Sequence, residues 1–147
     1  DEKLLKNQYL EELIHTFYTI LGKAIDKEFG GIFTCFNNEG DKKISKYIWS
    51  QGRFLWLNSK LQGLKDKGLL NLSRIWTQAL HKTYIFLNEN AIINGKQITY
   101  ALKRNGSIIQ NKKDLSIFSD CFYVLGCNAY ANYIKNESVF IHALQIY

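Results

Sequence analysis

Four stretches of this chain carry apolar residues three and four positions apart, and a glycine-closed turn separates the first from the second and the third from the fourth. That period belongs to helices that bury one stripe, so it confines the chain to a mainly α fold built from helical pairs. The first helix is expected from about Asn7 to Lys27, on Leu10, Leu13, Ile14, Phe17, Ile20, Leu21, Ala24 and Ile25. Phe29 to Phe36 is aromatic and β-branched and reads as a short strand ending in the turn Asn37-Asn38-Glu39-Gly40. A second helix is expected from about Lys46 to Leu64, more enclosed than the first because its apolar residues cover most of its circumference. Asn71 reads as the N-cap of a third helix that buries Leu72, Ile75, Trp76, Ala79, Leu80, Phe86 and Leu87, with Arg74, Gln78, His81 and Lys82 on its wet face. Gln97–Leu102 and Ser107–Ile109 flank Lys103-Arg104-Asn105-Gly106, and Asn-Gly between two extended runs signals a hairpin. A fourth helix is expected from about Ser116 to Lys135, and a fifth starts near Ser138.

The turn glycines Gly40 and Gly106 stand 66 residues apart, so the order is a repeat of two helices joined by a short hairpin. Such units cannot bury their apolar faces alone and must stack. Both hairpins then lie at one end of the stack, where the second and fourth helices begin and present free N–H groups to polar ligands. Two and a fraction units are few for an array. With no Met, and with Val139–Tyr147 ending without a capping signal, the 147 residues read as a partial domain, truncated at its C-terminus.

The net charge of +6 does not point to nucleic acid, because only three of the 19 basic residues are Arg and the Lys residues sit in scattered pairs such as Lys42-Lys43 and Lys112-Lys113. Cys35, Cys121 and Cys127 are odd in number and lack Cys-x-x-Cys spacing, so reduced, buried thiols of a cytoplasmic protein are expected. No apolar run approaches the ~20 residues of a membrane helix, and no metal or cofactor motif is present: Walker A, Gly-x-Gly-x-x-Gly, Gly-x-Ser-x-Gly and His-x-x-x-His are all missing.

On the second helix Trp49, Arg53 and Trp56 are spaced at four and three and share one face. A guanidinium among indoles fits a polar anchor in a pocket, with Trp49 as a wall on which a sugar ring stacks, and equally an Arg stem lying along a Trp. Asp120, beside Phe118 in the first turn of the fourth helix, fits a group that binds ligand hydroxyls and also an ordinary carboxylate at a helix N-terminus. His15, His81 and His142 have no partner at metal-ligand spacing and do not suggest catalysis.

Four segments in this order resemble the N-acylglucosamine 2-epimerase family, also called renin-binding protein, to which cellobiose 2-epimerases and aldose–ketose isomerases are related. They are Asp26-Lys-Glu-Phe-Gly-Gly-Ile-Phe-Thr-Cys-Phe-Asn-Asn-Glu-Gly40, Lys46-Tyr-Ile-Trp-Ser-Gln-Gly-Arg-Phe-Leu-Trp56, Tyr100-Ala-Leu-Lys-Arg-Asn-Gly106 and Ile117-Phe-Ser-Asp-Cys-Phe122. The resemblance implies the amino-terminal helical hairpins of an (α/α)6 barrel, with a sugar pocket at the end that carries the short β-hairpins. It implies an isomerase that interconverts N-acylglucosamine and N-acylmannosamine: one histidine removes the C2 proton, an enediolate forms, and a second histidine returns the proton to the other face.

By the same resemblance Arg53 is the catalytic arginine that binds the sugar oxygens near the reacting carbons. Trp49, one turn earlier, lines the same pocket. Phe118 stands where cellobiose-type members tend to have Tyr, and with Asp120, from its place in the first turn of the fourth helix, it is expected among the substrate-binding residues. No cofactor is implied, the partner is a small-molecule sugar, and a homodimer of the complete protein is compatible with it. The family's catalytic histidines lie on later helices and match none of His15, His81 and His142, so the 147 residues alone are expected to be inactive. The alternative is a non-catalytic helical-repeat fragment that docks a protein partner.

Overall fold

A computed structural model describes residues 2–36, 45–109 and 115–146. The turn expected at Asn37–Gly40 and the Lys42-Lys43 and Lys112-Lys113 pairs lie outside the described residues. Helix α1 (Glu2–Thr16) leads through a π-helical turn (Phe17–Leu21) into the short α2 (Gly22–Ala24). The single expected helix is therefore interrupted, and the phase shift of a π-turn redirects its stripe. Ile14, Leu21, Ala24 and Ile25 reach the core, while Leu4, Leu5, Leu10, Leu13 and Ile20 stay exposed.

The strand expected over Phe29–Phe36 is instead a tight loop that carries isolated bridge positions, Ile32 pairing with Ile25. Gly30 and Gly31 both adopt positive φ, 82° and 73°. A Cβ on Gly30 would stand 2.4 Å from the Lys82 carbonyl oxygen, and one on Gly31 2.4 Å from Gln51 Oε1. The chain has to pass close beneath two helices here, and only glycine permits it.

Residues Ser45–Tyr47 form strand β1, so the second helix, α3, begins at Ile48 rather than Lys46 and runs to Asp66. As expected, α3 is more enclosed than α1, but its buried set includes Gln51, Asn58, Ser59 and Gln62 as well as apolar residues. A polar seam against α4 (Arg74–Asn90) satisfies Asn58 and Gln62, while Ser59 donates to Leu55 O within α3 at 2.7 Å. Asn58 donates to the Trp76 carbonyl at 2.8 Å, Gln62 donates to Asn58 Oδ1 at 3.1 Å, and Thr77 donates to Gln62 Oε1 at 3.0 Å. Ser73, not Asn71, occupies the N-cap of α4 and makes no side-chain cap bond. The Tyr18 hydroxyl serves this entry instead, donating to Asn71 O at 2.9 Å and accepting from Ser73 N at 3.2 Å. The expected stripe is buried at Leu72, just before α4, and at Trp76, Ala79, Leu80, Phe86 and Leu87, while Ile75 is half-buried. His81 is not on a wet face. It is half-buried, its Nδ1 2.8 Å from the Tyr130 hydroxyl, and Tyr84 stacks on the same tyrosine at 4.4 Å.

Strands β2 (Ile92–Ile93) and β3 (Gln97–Ile98) pair across an Asn94-Gly95 turn that the sequence reading passed over. Strand β4 (Ala101–Lys103) does meet the expected Asn105-Gly106 turn, with Lys103 N–H donating to Ser107 O at 2.8 Å. Its ladder, however, is with β1: Ser45, Lys46 and Tyr47 face Lys103, Leu102 and Ala101 in antiparallel register. This pairing ties the two interhelical connections together at one end of the stack.

Helix α5 (Ile117–Ile134) follows the expected bounds closely, and α6 (Glu137–Leu144) starts with Asn136 Oδ1 accepting from Ser138 N at 3.0 Å. Helices α3 and α5 lie against each other at Gly52 and Gly126. A Cβ on Gly52 would meet the Phe122 carbonyl oxygen at 2.2 Å, and one on Gly126 the Gly52 oxygen at 2.6 Å. Their starts share a pocket, and near the end of α5 burial, together with the charge of Asp66, raises the pKa of Tyr133. Of the three thiols only Cys127 is buried, and burial pushes it up to about 12, against the lowering effect of a Tyr123 hydrogen bond; Cys121 is exposed and Cys35 half-buried.

Candidate functional site

Three consecutive residues of α3 point, by the 100° step of a helix, at three different neighbours. Gln51 binds both backbone polar groups of Ile32, Gly52 admits α5, and Arg53 reaches a cavity between the starts of α3 and α5. The Arg53 guanidinium carbon lies 4.7 Å from the Trp49 ring and 4.2 Å from the Phe122 ring. Stacked in this way the fork keeps its faces on aromatic carbon and its N–H edges open. Among the described residues no carboxylate pairs with it.

Trp49, Arg53, Tyr100, Ser116, Phe118 and Phe122 line a cavity of about 250 Å³. Trp49 and Arg53 also face an adjoining open cavity of about 380 Å³, lined by Ile32, Phe33, Thr34 and Phe36 of the glycine loop and by Ile20 and Leu21. The expected residues Trp49, Arg53 and Phe118 are thus brought together. Phe118 is 69% exposed and offers an open ring face. Trp56, 38% exposed, lines neither cavity. Asp120 lines neither as well: its Oδ1 accepts from the Ile98 N–H at 3.3 Å, which gives the carboxylate a task in holding β3 to α5.

Tyr100, Ser116 and Phe122 are pocket residues that sequence reasoning did not single out. Tyr100 is fixed by its carbonyl, which accepts the Ile48 N–H at 3.0 Å, and by an edge-on contact of its ring with Tyr47 at 5.4 Å. Tyr100 opens one quoted segment and Phe122 closes another, and that was the available signal. Ser116 is the N-cap residue of α5, and Phe122 lies one turn beyond Phe118.

A charged cluster behind the loop fixes the frame. Asp26 and Lys46, both with fully buried side chains, are 2.9 Å apart, and Lys46 Nζ also donates to Gly30 O at 2.6 Å and Arg104 O at 3.1 Å while lying 4.4 Å over the Phe86 ring. Arg104 Nε and Nη2 reach the two Asp26 oxygens at 2.9 and 3.2 Å. Burial opposes the Asp26 charge, yet the Arg104 and Lys46 hydrogen bonds and the Lys46 charge outweigh it and hold the carboxyl at about 2. Burial lowers the Lys46 pKa, and its carboxylate partner works against that. Asp26, Lys46 and Arg104 come from three of the quoted segments, so those segments converge on one buried node. No group of His, Cys, Asp and Glu fit to hold a metal occurs among the described residues, and no described helix is long and apolar enough to cross a membrane.

No protein-family model matches the chain. It is 29% identical to human N-acylglucosamine 2-epimerase over 108 residues, which are 70% of this chain and 24% of that protein. It is also 29% identical to the mouse N-acylglucosamine 2-epimerase over 128 residues, 84% of this chain and 29% of that one. The chain is similar to these N-acylglucosamine 2-epimerases. It spans about a quarter of the length of these curated epimerases. A cellobiose 2-epimerase from Bacillus thermoamylovorans superposes with a TM-score of 0.76 at 18% identity, over 96% of this chain and 36% of that one. A sugar epimerase from a ruminal bacterium does so with 0.69 at 15% identity, over 92% and 35%. These are (α/α)6 barrels, and the paired helices of this chain have the fold of part of one.

Proposed function

We propose that this chain is the amino-terminal part of a cytoplasmic sugar 2-epimerase with an (α/α)6 barrel, and that it supplies the Arg/Trp side of the sugar pocket. The substrate pair is N-acylglucosamine and N-acylmannosamine, interconverted by removal and return of the C2 proton through an enediolate. The observation that carries this reading is the Arg53 guanidinium, stacked between Trp49 and Phe122 with its N–H edges open and with no carboxylate partner among the described residues. A donor held in this way suits an oxygen on which negative charge develops, and Trp49 and Phe118 offer ring faces to a sugar. Tyr100 and Ser116 add hydroxyls. Phe118 and Ser119-Asp120-Cys121-Phe122 favour the N-acylglucosamine branch over the cellobiose branch.

The two proton-transferring histidines belong to later helices, so the 147 residues are inactive on their own. Incubation of the chain with N-acetylglucosamine is expected to yield no N-acetylmannosamine above the blank, and turnover would overturn that part. In a complete epimerase containing this stretch, Arg53→Ala is expected to lower kcat about a hundredfold, the order for one oxyanion donor. Near-normal turnover would return Arg53 to a packing role.

A second reading, a non-catalytic module that docks a protein partner, draws support from the exposed Leu4, Leu5, Leu10 and Leu13 of α1 and Ile141 and Leu144 of α6. Stacking of further helical hairpins on those faces accounts for them as well. Under the second reading Arg53→Ala leaves every activity of the complete protein intact.

A further inference from the structure

We infer that Gln51 is a positioning residue of the Arg53 pocket, holding the glycine loop as the pocket wall in register with the guanidinium. The inference rests on the reading of that pocket as a sugar site only for its ligand. Gln51 is fully buried, and its carboxamide is used at both ends on a single residue: Oε1 accepts the Ile32 N–H at 2.7 Å, and Nε2 donates to the Ile32 carbonyl at 2.8 Å. A side chain therefore takes the place of a neighbouring strand along this loop.

The wall begins at the same residue. Ile32, Phe33 and Thr34 line the larger cavity together with Trp49, Ser50 and Arg53. Because Gln51 and Arg53 belong to one turn of α3, the wall and the guanidinium share a rigid frame. Gly31 makes the approach possible, since a Cβ there would lie 2.4 Å from Gln51 Oε1. Lys46 secures the other end of the loop through Gly30 O and Asp26.

The chemistry also distinguishes an amide from an acid. An ionised Glu at this position keeps the shape and the acceptor but turns the Nε2 donor into an oxygen facing the Ile32 carbonyl. Protonation restores a donor, and burial raises the carboxyl pKa so that this happens within an accessible pH range.

The test compares Gln51→Met with Gln62→Met in the 147-residue chain. Gln62 is an equally buried amide on the same helix, bonded to Asn58 and Thr77 away from the pocket. Amide exchange at Ile32, the Trp49 indole N–H and Arg53 Nε–H resonances, and titration with N-acetylglucosamine are the readouts. Gln51→Met is expected to speed Ile32 exchange at least a hundredfold, shift the Trp49 and Arg53 signals, and weaken the sugar tenfold or more. Gln62→Met lowers global stability and leaves these signals in place. Equal effects of the two substitutions on the Trp49 and Arg53 signals overturn the inference. If the unaltered chain ignores N-acetylglucosamine, the sugar reading fails, and the positioning role is decided by the two resonances alone. If Gln51→Met does not fold, Gln51→Glu decides: its pocket signals are expected to move toward those of the unaltered chain between pH 8 and pH 5, and pH-independent signals overturn the role.

Discussion

Replacing glycine by alanine at two positions of the same helix should move stability in opposite directions. Gly52 and Gly63 both lie within α3. At Gly63 a Cβ meets no atom within 4 Å, so Gly63→Ala restricts the unfolded chain without a clash and should stabilise by roughly 0.5–1 kcal/mol. At Gly52 the Cβ would stand 2.2 Å from the Phe122 oxygen and 2.5 Å from its carbonyl carbon, both backbone atoms that no rotamer change can remove. Ordinary C···O contacts run at about 3.3–3.6 Å, so the seam must open by roughly 1 Å. A gap of that size forfeits a quarter to a half of the dispersion well for the atoms along it.

Overpacking typically costs about 1–3 kcal/mol, and a seam closed by a second glycine, Gly126, leaves little room to yield. Taking the upper end and subtracting the propensity gain of about 1 kcal/mol, Gly52→Ala should lose about 2 kcal/mol. At a urea m-value of about 2 kcal/mol/M, the unfolding midpoint falls by about 1 M for Gly52→Ala and rises by a few tenths for Gly63→Ala. Circular dichroism against urea reads both. Midpoints that move together and upward would falsify the close α3–α5 packing.

Acid should expose the Asp26 node. Its carboxyl is held at about 2 against 3.8 ordinarily, so it contributes stability above pH 4 that is lost as the pH falls through 2. At 1.36 kcal/mol per unit, and discounted for solvent screening, this amounts to about 1–2 kcal/mol, and urea midpoints at pH 5 and pH 2.5 measure it against Asp26→Asn, which should flatten the slope. Lys46→Met leaves Gly30 O and Arg104 O without their donor and should destabilise by about 3 kcal/mol, the usual order for breaking a buried pair; thermal melts decide, and a loss under 1 kcal/mol counts against the node. Asn136→Ala removes the cap on Ser138 N and should cost about 1 kcal/mol, with faster amide exchange confined to α6. Unchanged exchange there would mean that packing alone holds the helix.

The helices were legible wherever a local period decides them, and α5 began and ended within a residue or two of its expected bounds. Gly30-Gly31 misled because Phe29–Phe36 has the composition of a strand, whereas the carbonyl and carboxamide that force a turn there belong to Lys82 and Gln51, far along the chain. Lys46 looked like the first residue of a helix because nothing in its neighbourhood tells that Leu102 faces it and Asp26 binds it. Asn94-Gly95 carried the same turn signal as Asn105-Gly106, but flanked strands of only two residues each. At the site, the Trp49–Arg53 pair was visible as a spacing of four on one helix. Its third member, Phe122, stands on another helix, and the Ile98 amide that occupies Asp120 is a backbone group with no side-chain signature.

The β1–β4 ladder bears on how the chain reaches its native state. Lys46 and Leu102 face each other across 56 positions of sequence, and closing so long a loop takes entropy that no single helical pair recovers by itself. Arrays of repeats often unfold unit by unit, with a stability that is the sum of local parts. Here the ladder and the buried Asp26–Lys46–Arg104 contacts stitch the first interhelical connection to the second. The early hairpin should therefore gain lasting structure only after the later one has been synthesised and folded back, and the two should melt in one transition.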